Sequence, residues 1–181
     1  MLDIDIQIPI VAAINGRAMG LGASVAPSCD IVFVAESARI GDAHVMVGDP
    51  HVMVGVVAGD GGTFVWPLAV GPALAKQYLL TGDPIEAAEA HRIGLVNFVT
   101  PHDGCSDQAI GFARCIAANA PMAVQYTKLA VNELRKDAAN TAFDVATALE
   151  TIASNSNSNS NDHAEPLAAI AEKRTPIFES R

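Results

Sequence analysis

The residues best placed to do chemistry lie in a turn after an apolar run, at Gly20, Leu21 and Gly22. The two glycines allow a sharp bend from a strand into a helix at little steric cost. The first N–H groups of a helix lack an intrahelical acceptor, and with the helix dipole they favour an oxygen that carries negative charge. The turn therefore predicts a site for a developing enolate or tetrahedral oxyanion, and a turn that only packs the helix is the alternative. A dinucleotide site is not indicated, because Val25 replaces the last glycine of the GxGxxG pattern.

Titratable side chains precede and occupy a second glycine-rich stretch, residues 55–63. His44 or His51 is a candidate general base because imidazole titrates near neutrality, although a lone histidine is more often structural. Both belong to a seven-residue duplication, since His-Val-Met-Val-Gly occurs at residues 44–48 and again at 51–55. Asp60 is either a carboxylate of the site or the N-cap of the helix that follows.

The bulk composition excludes several classes of protein. The formal net charge is −9, from 11 Lys+Arg against 20 Asp+Glu, which argues against nucleic acid as the main partner. The three cysteines are widely spaced and no secretory signal is visible, so we expect reduced thiols in the cytoplasm. No apolar run is long enough to form a transmembrane helix, so no membrane partner is expected.

The elements that must position these residues begin with two apolar runs, at residues 8–14 and 30–35. The first is predicted to be a strand buried on both faces and the second a buried strand, and a short helix at residues 23–29 joins them despite Pro27. A strand, a short helix and a strand in this order imply a parallel crossover in an α/β layer.

The rest of the chain is predicted to be mainly helical, with a strand at residues 95–99. The polar repeat at residues 154–161, four Ser-Asn pairs, is predicted to be a flexible linker because it has nothing to bury. The helix at residues 106–119 is expected to start on a Ser106 N-cap. The other helices are expected at residues 72–80, 86–92, 121–135, 141–153 and 164–174.

A family resemblance rests on residues 9–22, Pro-Ile-Val-Ala-Ala-Ile-Asn-Gly-Arg-Ala-Met-Gly-Leu-Gly. These residues resemble the signature of the crotonase superfamily, the enoyl-CoA hydratases and isomerases. The likeness continues in collinear order through residues 29–31, 59–63, 80–83, 87–96 and 172–178. It implies an α/β fold in which a spiral of ββα units, partly present in residues 1–100, precedes a helical region in residues 101–181 that builds trimers or hexamers and closes the active site.

The resemblance also implies a site in which two backbone N–H groups grip the carbonyl of an acyl-CoA thioester. One donor corresponds to Leu21, with Gly20, Gly22 and Gly59 as neighbouring substrate-binding positions. The other donor would precede residue 1, so we expect the N-terminal part of the family fold to be absent. Of the two glutamates that hold water in the hydratases, the first corresponds to Ser24.

The second glutamate corresponds to His51 when the positions are counted back from Gly59, and to His44 when they are counted forward from residues 38–41. The proton would then move through a histidine, with Asp60 orienting it or a water and Ser24 bonding the water. The expected reaction is hydration of a 2-enoyl-CoA or a double-bond shift, without a metal or redox cofactor, since coenzyme A is part of the substrate.

Two other functions remain open. The chain is alternatively an inactive fragment or pseudoenzyme with an assembly role, or a crotonase-type thioester hydrolase. Self-association is expected because the C-terminal helices carry apolar faces, with an internal helical core as the alternative. These faces include Phe112, Ile116, Val124, Leu129 and Leu134.

Overall fold

The computed structural model describes residues 5–36 and 57–158, the backbone of residues 46–48, and the single positions 165, 168, 169, 172, 174 and 177. His44 and His51 lie outside the described residues. Within the described residues, the elements are β1 (Val11–Ile14), β2 (Ala18–Met19), α1 (Leu21–Ser28), β3 (Ile31–Ala35), β4 (Met46–Gly48), α2 (Gly62–Val70), α3 (Pro72–Thr81), β5 (Ile85–Glu86), α4 (Ala87–Arg92), β6 (Phe98–Thr100), a 3₁₀ turn at His102–Gly104, α5 (Cys105–Ala117) and α6 (Pro121–Ser158).

The predicted crossover is confirmed. Strands β1 and β3 pair in parallel, with Val11 opposite Ile31 and Ile14 opposite Val34, and α1 connects them. Strand β6 continues the same sheet in parallel, while β2, β4 and β5 form a second sheet. β3 is buried from Val32 to Ala35, as predicted, but burial on both faces is wrong for β1, where Ala13 is exposed because β1 lies at the sheet edge.

Strand β6 starts later than the sequence predicts. Residues 95–97 form bends, and β6 begins at Phe98. The reason is a pair of hydrogen bonds between Val32 and Asn97. The Val32 N–H donates to Asn97 Oδ1 (2.7 Å), and the Asn97 N–H donates to the Val32 carbonyl (3.0 Å). Leu95 and Val96 are still buried, each 3% exposed, so their side chains pack in the core although these residues are not part of the β-sheet.

In the described part of the C-terminal half, one long helix replaces two predicted ones. A single helix, α6, spans residues 121–158 in place of two helices and the start of the Ser-Asn linker. No glycine or proline interrupts residues 136–140, and extending a helix adds one hydrogen bond per residue without a second nucleation. The Ser106 N-cap is also wrong, since the 3₁₀ turn feeds α5 at Cys105 with Gly104 at the N-cap. At the C-terminus, positions 165, 168, 169 and 172 are helical.

A buried ion pair fixes α6 to the first strands. The Lys128 ammonium donates to Asp30 Oδ2 (2.8 Å) and to the Ile8 carbonyl (3.0 Å), and the Ile10 N–H donates to the same carboxylate oxygen (2.6 Å). The side chains of Lys128 and Asp30 are only 4% and 19% exposed. The pair therefore ties a helix more than ninety residues away in the chain to the crossover that carries α1.

Among the described helices, none is both long enough and apolar enough to cross a membrane.

Candidate active site

The start of α1 presents backbone N–H groups at the surface. Gly20 is its N-cap with φ 54° and ψ −124°, a conformation that favours glycine. The Ala23 and Ser24 N–H groups donate to the Gly20 carbonyl at 2.8 and 3.3 Å. The N–H groups of Leu21 and Gly22 precede these and have no acceptor within the helix. Leu21 is 55% exposed, so this end of α1 lies at the protein surface.

Ser24 and Asp60 meet one turn further along α1. The Ser24 hydroxyl, on a residue that is 2% exposed, donates to Asp60 Oδ1 at 2.9 Å. The alternative that Asp60 is the N-cap of α2 is wrong, because Gly61 occupies that position without a side-chain bond. Gly61 has φ 133°, and a Cβ added there would lie 3.6 Å from Ser24 Cβ, so α1 and the start of α2 are in close contact.

Trp66 holds the two helices together and explains why α1 tolerates Pro27. Pro27 lacks the N–H that would bond the carbonyl four residues earlier, that of Ala23. The Trp66 indole N–H donates to this carbonyl at 3.2 Å, from a side chain that is fully buried. The hydrogen bond that Pro27 cannot make within α1 is thus replaced by one from Trp66 of α2. This bond fixes α1, the helix whose first amides form the candidate site.

The Tyr78 ring lies next to that of Trp66, with the ring centroids 6.2 Å apart. The Tyr78 hydroxyl donates to Glu89 Oε1 at 3.3 Å. Burial raises the pKa of the Tyr78 hydroxyl, and the Glu89 carboxylate raises it further. Because an ordinary tyrosine already titrates near pH 10, Tyr78 is neutral at physiological pH and packs against Trp66 without acting as a base.

Gly59 and Gly22 have different surroundings. A Cβ at Gly59 would lie 2.2 Å from Glu150 Oε2 and 3.1 Å from the Ala146 carbonyl oxygen, so a side chain there would collide with α6. A Cβ at Gly22 would meet only Ala18 Cβ, at 3.8 Å. A side chain at position 59 would therefore displace the Glu150 carboxylate and press on the backbone of α6, while packing alone does not require glycine at position 22.

The structure brings together most of the residues that the sequence predicts: Gly20 at the N-cap of α1, Leu21, Gly22 and Ser24 within α1, and Gly59 and Asp60 before α2. His44 and His51 fall outside the described residues, so their place relative to this group stays a prediction. Trp66, which bonds α1, and Glu150, which lies against Gly59, are not predicted from the sequence. Pro27 inside a predicted helix is a signal that the Ala23 carbonyl needs another donor, whereas nothing in the sequence marks Glu150. Across residues 5–36 and 57–158 and the single positions, no cluster of three His, Cys, Asp or Glu side chains is arranged to hold a metal.

The proteins of known family that this chain resembles are enoyl-CoA hydratases and isomerases. The family profile described as enoyl-CoA hydratase/isomerase matches residues 2–181. The 2,3-dehydroadipyl-CoA hydratase of Escherichia coli (strain K12) is 33% identical over 173 residues, which cover 96% of this chain and 64% of that protein. The short-chain-enoyl-CoA hydratase of Clostridium acetobutylicum is 36% identical over 93% of this chain and 60% of its own length.

Solved structures agree with the sequence relatives. An enoyl-CoA hydratase/isomerase from Pseudoalteromonas atlantica T6c superposes with a TM-score of 0.81 at 28% identity, over 96% of this chain and 66% of that one. A carnitinyl-CoA hydratase from Mycobacterium avium gives a TM-score of 0.82 at 30% identity, over 97% of this chain and 64% of that one. This chain thus spans 60–66% of the length of these four relatives.

Proposed function

Since the chain belongs to the enoyl-CoA hydratase/isomerase family, we propose that it acts on an acyl-CoA thioester, by hydrating a 2-enoyl-CoA or shifting its double bond. The crotonase-like α/β fold predicted from the sequence is confirmed by the solved neighbours. The observation that carries the proposed activity is the start of α1, where the Gly20 conformation leaves the Leu21 N–H at an exposed helix terminus beside the Ser24–Asp60 pair.

The Leu21 N–H is proposed to bond the thioester carbonyl oxygen. Attack at C3, or loss of a proton from C2 or C4, sends electron density to that oxygen and forms an enolate. A fixed amide donor stabilises the enolate more than the ground-state carbonyl, because the charge on the oxygen is larger in the transition state. The positive end of the α1 dipole acts in the same direction.

Proton transfer is proposed to involve the group around Ser24 and Asp60. Because the Ser24 hydroxyl donates its hydrogen to Asp60, its oxygen lone pairs are available to accept a bond from a water. Asp60 orients that water or the histidine, and His51 or His44 transfers the proton at the substrate carbon. No metal or redox cofactor enters this scheme, and coenzyme A is the carrier of the acyl group.

Replacing Leu21 by proline tests the amide directly. Leu21 is the first residue of α1, a position where proline is well accommodated and where the N–H has no helical role. The variant L21P is expected to keep its fold and lose about 100-fold or more in kcat with crotonyl-CoA, because one oxyanion donor contributes roughly 10²–10³ in kcat. The measurement is the loss of conjugated thioester absorbance.

The control is L21A, which removes the same side chain and keeps the amide, so it is expected to stay near wild-type activity. Equal activity of L21P and L21A would refute the role of the Leu21 amide. Release of free CoA without hydration would favour the hydrolase, and a wild-type chain that neither turns over nor binds crotonyl-CoA would favour an inactive assembly role.

We propose that the chain forms a homo-oligomer in which the exposed apolar residues of α6 contact other subunits. Seven large apolar residues on this helix are exposed: Met122 (62%), Tyr126 (56%), Val131 (58%), Leu134 (69%), Val145 (59%), Leu149 (51%) and Ile152 (61%). Of the five residues predicted to form an apolar face, Leu134 is exposed and the other four are half-buried. Phe112 belongs to the internal core, with its ring 5.8 Å from that of Phe33.

We expect light scattering at micromolar concentration to give the mass of a trimer or hexamer, because subunit contacts would remove this apolar area from water. The variant L134E is expected to shift the mass toward the monomer. A monodisperse wild-type monomer would contradict the proposal.

The proposed location is the cytoplasm. Cys29, Cys105 and Cys115 form no disulfide bond, which is the state expected in a reducing compartment. A relative from Pongo abelii is named a mitochondrial enoyl-CoA hydratase, so imaging of a tagged chain is the test.

A further inference from the structure

We propose that Glu150, on α6, is the base that takes the proton of the attacking water in the proposed hydration. This assignment rests on the function proposed above, and it adds a carboxylate from a helix that carries none of the sequence-predicted site residues.

The face of α6 that bears Glu150 packs on α2 and on the turn before it. Phe143, Ala146 and Glu150 are spaced at three and four residues, so they share one side of the helix. The Phe143 ring meets Phe64 of α2 edge to face, with centroids 6.3 Å apart, and Ala146 is 5% exposed. Glu150 continues this buried face and is itself half-buried.

The carboxylate of Glu150 lies against the residue that precedes Asp60. A Cβ built at Gly59 would be 2.2 Å from Glu150 Oε2 and 3.1 Å from Glu150 Cβ, so the side chain lies flat across the glycine. Consecutive Cα atoms are about 3.8 Å apart, which places Glu150 Oε2 within about 7.5 Å of the Asp60 Cα. Only the absence of a side chain at Gly59 permits this approach.

Glu150 is also chemically available. Within the described residues its carboxylate has no hydrogen bond or ion pair, whereas Glu133 on the same helix pairs with Lys136 at 3.0 Å. Asp60 Oδ1, in contrast, already accepts the Ser24 hydroxyl. The buried Thr63 Oγ1, three residues after Asp60, also has no partner in the described part of the chain. A half-buried carboxylate and a buried hydroxyl without partners are groups that an ordered water would satisfy.

The proton balance of the hydration then closes. The Glu150 carboxylate takes one proton from water while the water oxygen bonds to C3. The electron pair of the C2–C3 double bond moves to the thioester carbonyl, and the Leu21 N–H holds the enolate oxygen. The enolate then takes up one proton at C2 from solvent. Glu150 returns its proton to solvent, so the net change is addition of water.

The test compares Glu150→Gln with Glu133→Gln, a matched loss of a carboxylate on an exposed part of α6. E150Q is expected to lower kcat for crotonyl-CoA hydration by about 100-fold with little change in KM, because general-base catalysis contributes 10²–10⁴. E133Q is expected to match wild type, and E150D to regain part of the activity. The exchange of C2 hydrogens of butyryl-CoA with D₂O, which forms an enolate without adding water, is expected to persist in E150Q.

Each outcome decides between the two proposals. Hydration by E150Q at the wild-type rate would overturn the role of Glu150 and leave the proposed function intact. Equal loss of hydration and of C2 exchange in E150Q would show a structural role and would also overturn it. A wild-type chain that neither binds nor turns over crotonyl-CoA would overturn both.

Discussion

Replacing Trp66 by alanine is expected to lower the free energy of unfolding by about 3–5 kcal/mol. Trp66 is the largest fully buried side chain in the described part of the protein. Its removal leaves a cavity at the contact between α1 and α2 and deletes the indole donor of the Ala23 carbonyl. Chemical denaturation of W66A against wild type measures the change.

The hydrogen bond can be separated from the packing. W66F keeps most of the ring volume and leaves the Ala23 carbonyl without a donor, at a cost of about 1–3 kcal/mol. In the background of Pro27→Ala, residue 27 regains an N–H that reaches the same carbonyl, so W66F is expected to cost about 1 kcal/mol less there. If W66F has the same cost in both backgrounds, the proposed compensation between Trp66 and Pro27 is wrong.

Replacing Lys128 by methionine is expected to destabilise the protein by about 3 kcal/mol. The substitution keeps the apolar volume but leaves the Asp30 carboxylate without its buried partner, and breaking a buried pair from one side costs about 3–5 kcal/mol. The lower end is expected because Asp30 is 19% exposed and also accepts the Ile10 N–H. The expected result is a lower denaturant midpoint with an unchanged m-value.

Lys136 is the matched control for this prediction. It is on the same helix and pairs with Glu133, but the two side chains are 32% and 65% exposed. K136M is expected to leave the denaturant midpoint almost unchanged, because exposed pairs contribute little. The double variant K128M/D30N is expected to recover part of the lost stability, since it removes the uncompensated charge. Equal effects of K128M and K136M would show that the Lys128–Asp30 pair does not anchor α6.

Local patterns in the sequence predicted the part of the fold that carries the glycine turn. Two apolar runs around Gly20 and Gly22 predicted the parallel crossover, because continuous apolar runs and turn residues are local signals. Helix α1 formed in spite of Pro27 because a tertiary bond from Trp66 replaced the missing one. A single-sequence pattern cannot supply that bond, which joins residues 43 positions apart.

The site was less predictable than the fold. The sequence singled out Ser24 and Asp60, and the structure shows that they are hydrogen-bonded to each other, which spacing along the chain cannot reveal. Glu150 lies 90 positions after Asp60, and its nearness depends on how α6 packs across Gly59. The length of α6 was underestimated because polar Ser-Asn pairs are poor helix formers, yet all 38 residues of the helix need only one nucleation.

The central claim is that the Leu21 N–H polarises the carbonyl of a bound acyl-CoA, and the carbonyl carbon reports this directly. Crotonyl-CoA labelled with ¹³C at the thioester carbonyl is bound to wild type and to L21P, and its NMR shift is compared with that of the free ligand. A downfield shift in wild type that is lost or strongly reduced in L21P, and retained in L21A, is the predicted result. Bound crotonyl-CoA with the same carbonyl shift in wild type and in L21P would contradict the account.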